Sequence, residues 1–398
     1  MPIVVFVLAV AVFAQGTSEF MVSGLLEQIA ADVGVSPGTA GLLTSLFAAG
    51  MVLGAPVMVM AAGRLPVRYS AAAFLALFGV AHVVGAVTAD FAALLATRVV
   101  AAVANAGFLA TVLAALPRLV GPAVVGRATS VVVSGVTVAC IAGVPAGTLL
   151  GQVWGWRSAF WAVAIVSGAA LVPVWAMVPR DVRERDRPDT RGPSMWREWA
   201  VVVRQPVGGV VIVGVLVNAA TFAGFTYLGT ITAGIPEASG RWVPVVLALF
   251  GIGSFVGVTL TGRYIDRYRR RIVTVGTVVL VGVWLLAALT AHTLTGVSIM
   301  ATVSGAVAFG VGSTLIATIM WSAAPTGPRI AGALATTAFN IGAVLGPATA
   351  GIVVDHTDHP TTALWCSSAF TFAAVAVVLV GRRLRTATPV GEVRVDAR

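Results

Sequence analysis

Apolar runs of bilayer length recur along this 398-residue chain, and between them charge arrives in short bursts of arginine. About 20 apolar residues, rising 1.5 Å each in a helix, cross a ~30 Å hydrocarbon core. Six runs lie near Ile3–Ala30, Thr39–Ala62, Tyr69–Thr88, Phe91–Leu116, Gly126–Val153 and Arg157–Val178. Six more lie near Val207–Gly234, Trp242–Gly262, Ile272–Ala291, Val297–Ala323, Ile330–Val354 and Thr361–Gly381. A soluble protein needs about a quarter of its residues charged, whereas here 58% are hydrophobic and 10% charged. The expected fold class is an all-α membrane protein with twelve transmembrane helices.

All 25 basic side chains are arginine, and their placement orients the spans. Twenty-two fall on one side: Arg64, Arg68, Arg118, Arg127, seven between Arg180 and Arg204, five between Arg263 and Arg271, Arg329, and five in the tail. The other side holds Arg157 and Arg241, while Arg98 sits inside a span. The positive-inside rule therefore predicts a multi-pass protein of the cell membrane with both termini cytoplasmic. The same placement makes the net charge of +10 a topology signal rather than a sign of a nucleic-acid partner. The N-terminus lacks the basic region of a signal peptide and is expected to be the first membrane helix. Cys140 and Cys366 lie in apolar spans and read as small packing residues. No disulfide framework, metal site or cofactor is expected.

A stretch of alternating charge with Pro188, Gly192 and Pro193 divides the chain. The expected organisation is a six-helix half over 1–178, a solvated linker over 179–206, a second six-helix half over 207–381, and a tail over 382–398. The halves echo each other at an offset near 203 residues. Gly63-Arg64-Leu65-Pro66-Val67-Arg68 follows span two and Asp266-Arg267-Tyr268-Arg269-Arg270-Arg271 follows span eight. Gly143-Val144-Pro145-Ala146-Gly147 in span five answers Gly346-Pro347-Ala348-Thr349-Ala350-Gly351 in span eleven. Matched halves of this kind predict a rocking transporter with its substrate site between them near the midplane.

These residues resemble the major facilitator superfamily, specifically its twelve-span drug:proton antiporters. Gly262-Arg263-Tyr264-Ile265-Asp266-Arg267 is similar to the family's cytoplasmic gate loop, marking Gly262, Asp266 and Arg267. Arg98 sits where the family carries an embedded arginine, and Gly143–Gly151 resembles its span-five antiporter motif. The runs Gly16-Thr17-Ser18-Glu19-Phe20-Met21, Asn105-Ala106-Gly107-Phe108-Leu109, Gly155-Trp156-Arg157, Asn218-Ala219-Ala220-Thr221-Phe222 and Phe250-Gly251-Ile252-Gly253-Ser254-Phe255 resemble actinobacterial chloramphenicol exporters. Two departures stand out. Gly63 replaces the usual aspartate of the first gate loop, and Leu26-Glu27-Gln28-Ile29 replaces a Pro-Asp at the end of span one.

Glu19 lies about 16 residues, or ~24 Å, into span one. A carboxylate at that depth costs ~2.5 kcal/mol or more and marks a proton or ion pathway, the alternative being a permanently paired structural group. The resemblance implies that spans one and four line the central cavity, which sets Arg98 beside Glu19 as its proton-coupling partner. Arg98 equally suits a helix-packing role on backbone carbonyls. His82 reads as a hydrogen-bonded packing residue. Gly135, Ala139, Gly143, Gly147 and Gly151 recur every fourth residue and predict a smooth, sliding seam between opposite halves, with Pro145 favouring a kink. Asn105, Phe108, Asn218, Phe222 and Phe225 are candidate cavity residues, each with a packing alternative. Trp154, Trp156, Trp161 and Trp242 read as interfacial belt residues.

No enzyme motif is present: the chain has no lysine for a phosphate loop, no HExxH and no Cys/His cluster. The expected function is proton-coupled efflux of a small amphiphilic drug of the chloramphenicol type by alternating access. The alternative within transport is export of a sugar, nucleoside or other metabolite. A transport-dead sensor would be expected to have lost Glu19 or gained a soluble domain. The expected partners are the small-molecule substrate, protons and the lipid bilayer, with the protein acting as a monomer.

Overall fold

The computed structural model describes residues 1–62, 66–121, 124–178, 207–238, 240–325 and 331–386, with backbone alone at 55–62 and 381–386. Gly63, Arg329, the linker 179–206 and the tail beyond 386 lie outside the described residues. Among the described residues, besides the short turns Pro37–Ala40 and Gly240–Trp242, eleven long helices result: α1 (Ile3–Val33), α2 (Leu42–Ala62), α3 (Val67–Val87), α4 (Phe91–Val120), α5 (Val125–Trp154), α6 (Arg157–Met177), α7 (Gly208–Ala233), α8 (Val243–Thr290), α9 (Leu294–Ala323), α10 (Ala331–Thr357) and α11 (Thr362–Thr386). Local chemistry sets their ends. The Asp90 carboxylate accepts from Ala93 N at 2.7 Å to open α4, and the Thr293 hydroxyl accepts from Gly296 N at 3.1 Å to open α9. Gly34, at φ 73°, closes α1 in the left-handed conformation that a Cβ disfavours.

Spans eight and nine, expected as separate helices, form one helical run of 48 residues in α8. Straight, it would measure ~72 Å, more than twice a bilayer core. It folds back instead. Phe250 and Trp284 line a single cavity, and the added Cβ of Gly257 would meet Ala306 O at 1.9 Å while that of Gly276 would meet Val311 at 2.5 Å. Two arms of α8 thus flank α9, and eleven helices supply twelve passes. The bend falls in the arginine-rich segment Arg263–Arg271, where Arg269 lies over Trp321 at 4.7 Å.

Within the first half α1 packs on α5 and α6, α2 on α4, and α3 on α4 and α6. Within the second, α7 packs on α10 and α11, and α8 on α9 and α11. The halves meet through α1–α7, α2–α10 and α5–α8. Lipid-length helices with Val153, Ile165, Val172, Ile352 and Phe372 exposed leave an apolar outer surface suited to hydrocarbon.

The closest approaches between halves cluster at the arginine-poor end, which carries Arg157 and Arg241. Asp355 of α10 accepts from Gly38 N (2.8 Å), Ser36 Oγ (2.6 Å) and Thr39 Oγ1 (3.4 Å). Tyr227 OH of α7 lies 3.3 Å from Gly38 O and 3.1 Å from Pro347 O. Gln152 of α5 donates to Gly240 O ahead of α8. Gly229 lies so close that a Cβ there would sit 2.2 Å from Ser23 O.

Candidate functional site

Glu19 is half-buried on α1, about midway through the bundle. Its charge and that of Arg98 act on one another, yet no ion pair within 4 Å joins them among the described residues. Arg98, 1% exposed, is held on the neighbouring residue of α1. Nη1 donates to Ser18 Oγ at 2.8 Å, Nη2 to Ser18 O at 2.9 Å and Nε to Leu43 O at 3.4 Å, and the guanidinium lies 4.3 Å from the Phe47 ring centroid. Buried arginine is tolerated because those acceptors and that ring face replace water. Arg98 therefore satisfies backbone carbonyls of α1 and α2, the packing role expected of it, and lies within electrostatic reach of Glu19.

His82 is the hydrogen-bonded packing residue expected, and the sequence pattern passed over Gln15. His82 is bonded to Ser18 Oγ at 2.6 Å, so its packing role joins it to the Arg98 network. Gln15, one turn from Glu19 on α1 and 1% exposed, has both amide atoms buried without a protein partner. A polar residue four positions from an embedded glutamate was the signal available for it.

Where α1 meets the second half, rings come together. Phe20 stands 5.9 Å from both Phe222 and Phe225; Phe225 lies 4.8 Å from Phe250, which lies 5.9 Å from Phe309. Phe222 and Phe225 thus meet at the junction of the halves, joined by Phe20 and Phe250, which residue type alone did not single out. Asn105 is buried on α4, seven residues or ~10 Å along the helix from Arg98 and on the same face. Asn218 is committed elsewhere: Nδ2 donates to Phe339 O at 2.6 Å, tying α7 to α10 inside the second half.

Three expectations need correction. Phe108 does not face the junction. It is fully buried in a cluster with Val4, Leu8, Val12 and Leu75 inside the first half, because three residues beyond Asn105 turn it ~60° round α4. Trp156 is not a belt residue: it is 3% exposed, and its indole N–H donates to Asp32, which also pairs with Arg157. Trp154, Trp161 and Trp242 are exposed. The glycine stripe of α5 faces α1 of its own half. A Cβ would approach Ala9 O to 2.5 Å at Gly135, Thr17 Oγ1 to 2.1 Å at Gly143 and Leu25 to 2.3 Å at Gly151, whereas at Gly147 the nearest atom is 3.5 Å away.

The seam between halves instead uses the π-helical turn Ala139–Gly143. Pro145 has no N–H for the carbonyl four residues back, and Val144 N reaches Ala139 O, five back, so the chain bulges there. Gly251 of α8 packs on the bulge so closely that a Cβ would sit 2.5 Å from Cys140 O. Gly262, Asp266 and Arg267 lie in the bend of α8, where Gly262 has open space and Arg267 lies 5.6 Å from the Tyr268 ring.

Comparison with known proteins agrees with this architecture. The model of the Major Facilitator Superfamily matches residues 8–333 and again 234–396. A chloramphenicol resistance protein of Streptomyces lividans is 43% identical over 396 residues, covering 99% of this chain and 100% of that one. The chloramphenicol efflux pump MT0201 of Mycobacterium tuberculosis is 30% identical over 88% of this chain and 85% of its own. Among solved structures, a bacterial homologue of the human lysosomal transporter Spinster, inward-facing and unoccupied, superposes with a TM-score of 0.78 at 17% identity over 96% of each chain. With that family model matching most of its length and a full-length relative 43% identical, the chain belongs to the major facilitator superfamily and is a multi-pass membrane transporter, with eleven helices among the described residues long and apolar enough to cross a membrane.

Proposed function

We propose that this transporter exports a small amphiphilic drug of the chloramphenicol type in exchange for protons. The observation that carries the proposal is the junction itself: a half-buried carboxyl beside a buried arginine on one side, and a cluster of four phenylalanines on the other. Aromatic and apolar walls take up a drug ring, while few polar groups orient it. The name of the full-length relative supplies the drug class.

The contacts at the arginine-poor end support a state closed on that side. The arginine distribution makes that side external, and on this reading the opposite, cytoplasmic side is the one from which the site is reached. In it, drug enters from the cytoplasmic side and Glu19 gives its proton to the cytoplasm, leaving a carboxylate opposed by Arg98. Rocking of the halves breaks the Asp355 and Gln152 bonds and opens the site outward. Drug leaves, Glu19 takes an external proton, and the neutral carboxyl lets the bundle return. One proton moving inward yields ~2.3 kcal/mol per 100 mV and ~1.4 kcal/mol per pH unit, enough for a few-hundred-fold drug gradient.

Cells expressing the protein should accumulate less labelled chloramphenicol than control cells, and a protonophore should abolish the difference. Equal accumulation with and without expression would remove chloramphenicol as substrate. A difference that survived the protonophore would remove the proton gradient as the energy source.

A further inference from the structure

The hydrogen bonds behind Arg98 run in a fixed direction. Arginine only donates, so the Ser18 hydroxyl accepts from Nη1 at 2.8 Å and must pass its own proton to another acceptor. That acceptor is His82 Nε2, 2.6 Å away. Nε2 accepts only when the ring proton sits on Nδ1, and Nδ1 lies 2.7 Å from the Phe78 carbonyl, which can only accept. Three bonds thus dictate one another, from Arg98 to Ser18 to His82 to Phe78 O. The imidazole is 1% exposed and packed between Phe78 and Phe160, with ring centroids 4.3 Å and 5.7 Å away, so it is poorly placed to turn.

We infer that His82 is a positioning residue for proton coupling: by keeping the Ser18 hydroxyl turned as an acceptor, it pins the Arg98 guanidinium on α1 and sets the gap between that cation and Glu19. The inference rests on Glu19 being the exchanging carboxyl. The groups facing this network are Glu19 on α1, Arg98 on α4 and Cys140 on α5, which feels the charge of Glu19. α2 supplies the Leu43 carbonyl and Phe47, and α6 supplies Phe160. Without the imidazole acceptor, Ser18 has no fixed partner for its proton, and Arg98 loses a directed bond and gains freedom to close on Glu19. A nearer cation favours the ionised carboxyl.

The test is export from proteoliposomes as a function of pH for the wild type, His82→Phe, His82→Gln and Ser18→Ala. Phenylalanine fills the space without an acceptor, whereas glutamine places its amide oxygen near the position of Nε2. His82→Phe and Ser18→Ala should move the half-maximal pH toward acid by about one unit, the size of a charge brought closer. His82→Gln should keep the wild-type profile. If His82→Phe fails to insert, Ser18→Ala against wild type and His82→Gln decides the matter. Variant profiles that overlay a proton-dependent wild type overturn the positioning role. A wild type whose export ignores pH overturns instead the assignment of Glu19 on which it rests.

Discussion

Position 19 of the first half is a glutamate, and 203 residues on, at the matching place in the second half, stands Phe222. The same offset takes Arg98 to Ala301. One fold repeated twice therefore carries two chemistries at its centre, embedded charge in one half and a cluster of edge-to-face rings in the other. An embedded ion is expensive wherever it stands, so confining it to one half leaves the other free to build a dry aromatic wall. On the proposed mechanism the first half holds the proton and the second holds most of the drug, and rocking one against the other couples them.

Phe222→Ala should weaken this division on its aromatic side alone. The ring lies 5.9 Å from Phe20 and 6.5 Å from Phe225, so its loss removes two aromatic contacts worth ~1 kcal/mol or more together. Drug binding should weaken about tenfold, the equivalent of 1.4 kcal/mol, while the pH dependence of export stays that of the wild type. Measuring KM across pH separates the two. A shift in pH profile without a change in KM would tie the aromatic side to the proton rather than to the drug and contradict the division.

A smaller asymmetry lies at the arginine-poor end. Gln152 and Asp355 are also 203 residues apart, and each bridges to the short helical turn ahead of a long helix in the other half, Gln152 to Gly240 and Asp355 to Gly38. The first bridge is one amide bond; the second is a carboxylate taking a backbone N–H and two hydroxyls. Charge-assisted bonds run to ~1.5–3 kcal/mol against ~1 for a neutral one. Asp355→Ala should therefore raise the outward-open population about tenfold and Gln152→Ala only a few-fold. Distances between spin labels on the two halves would report both, and equal responses would make the two bridges energetically alike.

How much of this the sequence revealed follows from what each signal encodes. The succession of spans was legible because hydrophobic length answers to the bilayer itself. Glu19 and Arg98 stood out because charge at that depth is rare. The partner of a smooth helix face was not legible. The glycines of α5 announce close packing, but α1 occupies their groove and the inter-half seam falls on the π-bulge before Pro145. Phe108, Phe222 and Phe225 are one residue type in two apolar helices, and only helix rotation separates the packed ring from the two at the junction. The fold-back of α8 was hidden because arginines mark an expected loop without saying that helical bonding continues through it.

The central claim is that Glu19 exchanges the proton that drives export, and Glu19→Gln tests it most directly. Glutamine keeps the size and hydrogen bonding of the protonated acid but has no proton to release near neutral pH. The rings of Phe20, Phe222, Phe225 and Phe250 remain, so labelled chloramphenicol should still bind the variant. In proteoliposomes with an imposed pH gradient, uphill export should vanish and its pH dependence should flatten. Sustained, pH-driven uphill export by the Gln variant would contradict the account and move the coupling site elsewhere, with Glu27 and His82 the next residues to replace.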